Sequence, residues 1–203
     1  MLSVIKKRRS IRRYKNTPVE REIILDILEA GMLAPSSKNR QPWRFIVVMD
    51  SAKESMLAAM QKGLEREKHA PLLPESAEYL KAAEHTLEIM AQAPIAIFVI
   101  NPLGMKLQSP LTPERRIYEI CNAQSIGAAM ENMTLTATEH GLGSLWICDT
   151  YFAYDELKQW LATEGEPVAA MAIGYADEAP AARTRKGLEE IVEWRTASHT
   201  TTR

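Results

Sequence analysis

No run of about 18 uncharged apolar residues occurs in this 203-residue sequence, so no segment is expected to cross a membrane as a helix. The start, MLSVIKKRR (residues 1–9), lacks the apolar stretch of a secretory signal, and a cytoplasmic protein is expected. Cysteine is scarce. Cys121 and Cys148 stand on separate segments with no second Cys or His at metal-ligand spacing, which excludes a disulfide framework and offers no zinc site. Free, mostly buried thiols are expected. His69, His85, His140 and His199 share no spacing that suits a metal or a catalytic triad, and each is read as a surface or packing residue. A serine nucleophile elbow is missing too. Internal repeats, low-complexity tracts and linkers are also lacking, and hydrophobic types make up 46% of the chain, so residues 1–203 read as one globular domain.

Acid is what the first fifteen residues lack. Lys6, Lys7, Arg8, Arg9, Arg12, Arg13 and Lys15 crowd there without a single Asp or Glu, in a chain whose net charge is only −1. A solvated charged face would need no partner. A nucleic-acid arm would need a wider basic surface than a near-neutral chain supplies. A phosphate site would use guanidinium forks, with the Ser10 hydroxyl adding a short bond. The stretch RRSIRRY (residues 8–14) does not by itself choose between the first and the third. A second polar stretch, APSSKNRQPWRF (residues 34–45), holds Ser36, Ser37, Asn39 and Gln41 between a helix and a strand. Such residues suit a polar ligand, and equally a turn that satisfies its own backbone.

Hydrophobic periodicity predicts a short helix over 2–9 with Leu2, Ile5 and Val4 inward, and a second over 20–34 burying Ile23, Ile24, Ile27, Leu28 and Met32. WRFIVVM (residues 43–49) reads as a buried strand, followed by a helix from Ala52 to about Glu67. Residues 63–78 turn polar and are broken by Pro71 and Pro74. With the helical segment to residue 91 they read as a lid-like excursion around 63–91. Strands are predicted at 95–100, 145–148 and 168–174, a long buried helix at 114–140, and a short helix containing Leu157 and Trp160. Strands alternating with helices give an α/β or α+β domain with about four strands.

Five marks, in order over about 180 residues, resemble the nitroreductase family of FMN-dependent oxidoreductases. They are RRSIRRY, PSSKNRQPW, NAQSIGAAMENMTLTA (residues 122–137), HGLGSLWIC (residues 140–148) and RTRK (residues 183–186). The resemblance implies an α+β fold: a small, mostly antiparallel sheet of about four or five strands, flanked by helices, in an intertwined homodimer. FMN is implied at the dimer interface, with Arg8, Arg9 and Ser10 on its phosphate and Arg12 near the flavin C2 carbonyl. Arg183 and Arg185 match the tail residues that close over the phosphate, with Lys186 a rival for one role. Pro35, Ser36, Ser37, Asn39 and Gln41 match the loop that reaches FMN from the partner subunit. Leu145, Trp146, Ile147 and Cys148 match the strand along the ring, and the backbone of Ile147 and Cys148 the contact to flavin N5. Relatives carry glycine just after the isoleucine, where this chain has Cys148 and then Asp149. Cys148, with no resolving cysteine nearby, reads as a small packing residue.

The implied reaction takes hydride from NADH or NADPH and passes it, in a ping-pong exchange, to nitroaromatics, quinones or similar electron-poor acceptors. No catalytic side chain is expected, because solvent supplies protons. Alternatives are a specialised reductive dehalogenase or flavin-remodelling enzyme, and a non-catalytic FMN carrier. No metal, nucleic acid or membrane partner is expected.

Overall fold

The computed structural model describes residues 1–72 and 75–195. In chain order the elements are α1 (Ser3–Lys7), α2 (Arg21–Met32), a 3-10 turn (Ser37–Asn39), β1 (Arg44–Val48), α3 (Ala52–His69), a 3-10 turn (Ser76–Tyr79), α4 (Leu80–Gln92), β2 (Ile95–Asn101), α5 (Pro113–Glu139), β3 (Gly143–Ile147), a 3-10 turn (Tyr151–Ala153), α6 (Tyr154–Leu161), β4 (Glu166–Gly174) and α7 (Leu188–Ile191). The four strands form one sheet in the order β1-β2-β4-β3, antiparallel at every step, so the fold is α+β. Among the described residues no helix is long and apolar enough to cross a membrane.

Strand β2, IAIFVIN, is buried at all seven positions because both its faces are covered. Ala96, Phe98 and Ile100 join a core with Met56, Met60 and Leu64 of α3, Met90 of α4 and Leu157 of α6. Ile95, Ile97 and Val99 face the other way, toward Ile24 and Ile27 of α2 and Ile126, Met130 and Met133 of α5. Two helical layers thus enclose the sheet, and a central strand wetted on neither side reads as a continuous apolar run. Helix α5 is the longest element, 27 residues, roughly 40 Å. Pro113 occupies its first turn and the Thr112 side chain accepts the Arg115 N–H. At its other end Gly141 takes φ +74, while Leu142 N–H donates to Ala137 O at 2.8 Å and Gly141 N–H to Thr138 O at 3.1 Å. These two bonds satisfy terminal carbonyls as in a Schellman cap.

Several expectations are corrected. Helix α1 is one turn rather than eight residues and buries nothing: Leu2 is 69% exposed, Ile5 is exposed, and the turn lies on α5 outside the core. Met32 is 59% exposed because the inward stripe of α2 runs Ile24, Ile27, Gly31, and a Cβ at Gly31 would stand 2.9 Å from the Met133 side chain. Strand β1 is a sheet edge, buried only at Val48. The thiols are not buried: Cys148 is exposed, just past the end of β3, and Cys121 is half-buried. Helix α3 continues through Gly63, Leu64 and Glu67, all buried, to His69, so the chain leaves the helix at Ala70. Pro74 and His199 lie outside the described residues.

Candidate functional site

Residues 10–15 run along the open edge of β3 and cross to the end of β4. Ile11 N–H donates to Ser144 O at 3.0 Å, Lys15 N–H to Tyr175 O at 2.9 Å, and Asp177 N–H to Arg13 O at 2.9 Å. Isolated bridges pair Ser10 with Ser144 and Tyr14 with Ala176. Tyr14 is buried beneath, its hydroxyl donating to Ile11 O at 2.7 Å. Burial, then the Glu178 carboxylate, push its proton affinity far up, so it stays a donor. Glu178 accepts the Arg12 N–H at 2.5 Å and the Arg13 N–H at 3.3 Å, and its other oxygen lies 3.5 Å from Arg13 Nε.

This edge brings the two basic segments together. A cleft of about 380 Å³ is lined by Arg8, Arg9, Ser10, Arg12, Arg183 and Arg185. Lys186 is not one of its walls. Arg8 meets Glu131 at 3.7 Å, a loose contact. Arg9 turns one nitrogen back onto the end of α1, donating to Lys6 O at 2.7 Å and Arg8 O at 2.8 Å, so it caps that helix as well as lining the cleft. Arg12, Arg183 and Arg185 have no carboxylate within ion-pair distance of their guanidinium groups among the described residues. So much like charge on one small cleft favours a multiply charged anion, and guanidinium forks match phosphate oxygens.

Beyond the cleft, β3 and α5 face each other. Leu145 and Ile147 turn into the core, leaving only their backbone for a ligand, whereas Trp146 lies half-buried on the α5 side. A Cβ on Gly127 would stand 3.4 Å from Trp146 Cη2, an ordinary contact distance, so this turn of α5 lies against the indole. The Ser144 hydroxyl, on the same strand, is buried without a hydrogen-bond partner among the described residues. An orphaned hydroxyl beside Ser10, an aromatic floor at Trp146 and uncompensated guanidinium groups at one end fit an elongated ligand with a phosphate terminus and polar groups along its length, as FMN has.

The Pro35–Gln41 loop is elsewhere. Ser37 N–H donates to Ser125 Oγ of α5 at 3.2 Å, Gln41 N–H to Ser36 Oγ at 3.0 Å, and Arg40 lies 4.3 Å over the Tyr118 ring. Lys38, Asn39 and Gln41 hold φ of 54, 52 and 49, left-handed conformations unusual outside glycine. Pro35, Ser36, Ser37, Asn39 and Gln41 do not line the arginine cleft of their own chain.

One further cluster holds the exit of β3. Arg66 donates to Glu156 at 2.9 Å, Glu67 at 2.6 Å and Phe152 O at 3.1 Å. Glu67, 1% exposed, also accepts Leu72 N–H at 2.8 Å and Ser76 Oγ–H at 2.6 Å. Burial pushes its carboxyl pKa up, but the bonds from Ser76, Leu72 and Arg66 outweigh this and hold it below the ordinary value. The residues after Cys148 are thereby tied to the excursion that begins at Ala70. Glu178, Glu131 and the Arg66–Glu67 pair escaped the sequence reading, since each acts through a partner distant in the chain.

Fold and cleft together define a class, an α+β protein with an arginine-lined cleft at the edge of an antiparallel sheet. The chain belongs to the nitroreductase family, whose pattern is matched by residues 5–175. A Bacillus subtilis protein named as an NAD(P)H nitroreductase, YfhC, is 28% identical over 193 residues, 92% of this chain and 90% of that one. A BluB-like flavoprotein from Clostridium difficile 630 superposes with a TM-score of 0.76 at 28% identity, covering 96% of this chain and 98% of the other. A Desulfovibrio desulfuricans protein described as a nitroreductase, solved with FMN, superposes with a TM-score of 0.68 at 26% identity over 96% of each chain.

Proposed function

We propose that this chain is an FMN-dependent oxidoreductase that takes hydride from NADH or NADPH and passes it to electron-poor acceptors such as nitroaromatics or quinones, working as a homodimer. One observation carries the reading: arginines near residue 10 and near residue 184 face one cleft with most of their charge uncompensated. A phosphomonoester, carrying about 1.5 to 2 negative charges at neutral pH, offsets that crowding. Arg8, Ser10, Arg183 and Arg185 hold the phosphate, and Arg9 contributes charge while capping α1. Arg12 stabilises negative charge at the pyrimidine edge of the ring, which eases reduction. Trp146 supports the ring, and backbone N–H groups of Ile147 and Cys148 meet its N5 edge, Leu145 anchoring the strand from the core side. FMN, when bound, supplies the hydride exchange that no side chain here offers. For a nitro acceptor, one hydride and one solvent proton give a nitroso group and water, balancing oxidation of NAD(P)H to NAD(P)⁺.

The Pro35–Gln41 loop is assigned to the site of the second copy. Support comes from its pre-shaped left-handed backbone and from apolar surface that one chain leaves open, including Ile117 on α5 at 60% exposure and Trp194 at 79%. The purified protein should be yellow and dimeric, bleach anaerobically with NADH or NADPH, and regain colour with a nitroaromatic. A colourless monomer that refuses added FMN, or bound flavin that neither nicotinamide bleaches, overturns the proposal.

A further inference from the structure

A cavity of about 430 Å³ lies between α5 and the start of β4, walled by Met105, Leu111, Ile120, Ala123, Tyr151 and Tyr154. Helix α5 joins it to the arginine cleft. Glu131 lies beside Arg8, Gly127 against Trp146, and Ala123, Ile120 and Arg116 in the cavity, at the three- and four-residue spacing of one helix face. From Glu131 to Ala123 is ~12 Å along the axis, and Arg116 lies ~10 Å further. Pro167 and Val168 line the cavity at the start of β4, and Ile147 pairs with Ala170, so the cavity lies near the strand end assigned to the ring's reactive edge.

Charge in this cavity is unevenly resolved. Glu166 accepts the Tyr154 hydroxyl and pairs with Lys158, so its charge is answered. Glu119 accepts the Met105 N–H at 3.2 Å, and burial, against that bond, pushes its carboxyl toward the neutral form. Arg116 stands exposed at the rim of the cavity and has no carboxylate within ion-pair distance among the described residues, so its charge is open to a ligand. Tyr151 and Tyr154 stack with centroids 6.2 Å apart and planes 25° from parallel, and both border the cavity.

We propose that this cavity receives the electron acceptor and that Arg116 makes it selective for flat aromatic acceptors bearing a carboxylate or comparable anion, an inference that rests on the flavin reading above. The ring of such an acceptor lies against the tyrosines and the apolar walls, and its anionic group reaches Arg116. The flavin-loaded protein is titrated calorimetrically with 4-nitrobenzoate and with the neutral 4-nitrobenzamide. Arg116→Gln should weaken 4-nitrobenzoate by about tenfold or more, as expected for loss of a charge-assisted bond, and leave 4-nitrobenzamide within about twofold. Ala123→Leu, which fills the cavity without touching charge, should weaken both. Unchanged 4-nitrobenzoate affinity in Arg116→Gln overturns the inference, as does a cavity-filling variant that binds both compounds like the parent. A parent protein that holds no flavin, or whose flavin no nicotinamide bleaches, refutes instead the reading on which it rests.

Discussion

The Glu178 carboxylate accepts the backbone N–H of Arg12 at 2.5 Å, joining positions 166 residues apart. It also accepts Arg13 N–H, so one side chain fixes the backbone from which the cleft arginines project. Glu178→Ala should leave the fold intact but raise the FMN dissociation constant by about tenfold, the scale of one lost bond to a charged group. Glu178→Gln keeps an acceptor oxygen and should recover most of the affinity. Fluorescence titration of the apoprotein measures both, and an alanine variant that binds like the parent removes Glu178 from the account.

Arg8 and Ser10 act directly on the anion. Charge-assisted hydrogen bonds contribute about 1.5–3 kcal/mol each. Arg8→Ala with Ser10→Ala should therefore yield colourless protein with an unchanged circular dichroism spectrum. Retained stoichiometric flavin would mean the phosphate lies elsewhere.

How much of this was legible in the residues follows from the range of the interactions. β2 and α5 announced themselves, because a long apolar run and a capped, proline-started helix are local signals. The clustered arginines alone left a solvated face and an anion site equally open, and the resemblance named residues 183 and 185 with 186 as a rival, but no local pattern brings that tail to residues 8–12. The Tyr14–Ala176 and Arg13–Asp177 pairings at the end of β4 start the tail beside that edge, and no local pattern encodes them. Met32 and Leu2 were misread because periodicity gives an apolar stripe without saying where a helix stops packing. Gly63 looked like the start of a polar break for the same reason, since its contact with Ala153 is visible only in the fold.

Glu67 gives a pH signature. Its folded carboxyl sits below the ordinary range, so its contribution to stability is complete above about pH 4.3, the unfolded value, and is lost as pH falls through the folded one. Glu67→Gln should be less stable than the parent by about 1–3 kcal/mol at pH 7, from a buried network left partly unsatisfied. That gap should narrow below about pH 4.3 and close as pH falls through the folded value. Urea unfolding at pH 7 and in the acid range tests the sign, and a gap that is constant or widens in acid assigns the stabilisation to another group.

Gly63 sets how closely α3 approaches the turn after Cys148. A Cβ there would stand 2.4 Å from both Ala153 Cα and Ala153 Cβ and 2.9 Å from Phe152 O. Backbone cannot rotate aside as a flexible side chain can, so the helices must separate. Alanine gains about 0.5–1 kcal/mol of helix propensity over glycine, whereas overpacking typically costs about 1–3 kcal/mol. The steric term wins, and Gly63→Ala should lower the melting temperature by several degrees, on the scale of about 2–4 °C per kcal/mol for a chain of this size. Because Phe152 O is also the carbonyl that Arg66 holds, the displacement should reach Cys148 and shift the visible spectrum of bound flavin. A Gly63→Ala protein with an unchanged melting temperature would show that α3 and the Tyr151–Ala153 turn do not pack backbone to backbone, and with that the link from the excursion to the ring edge would fail.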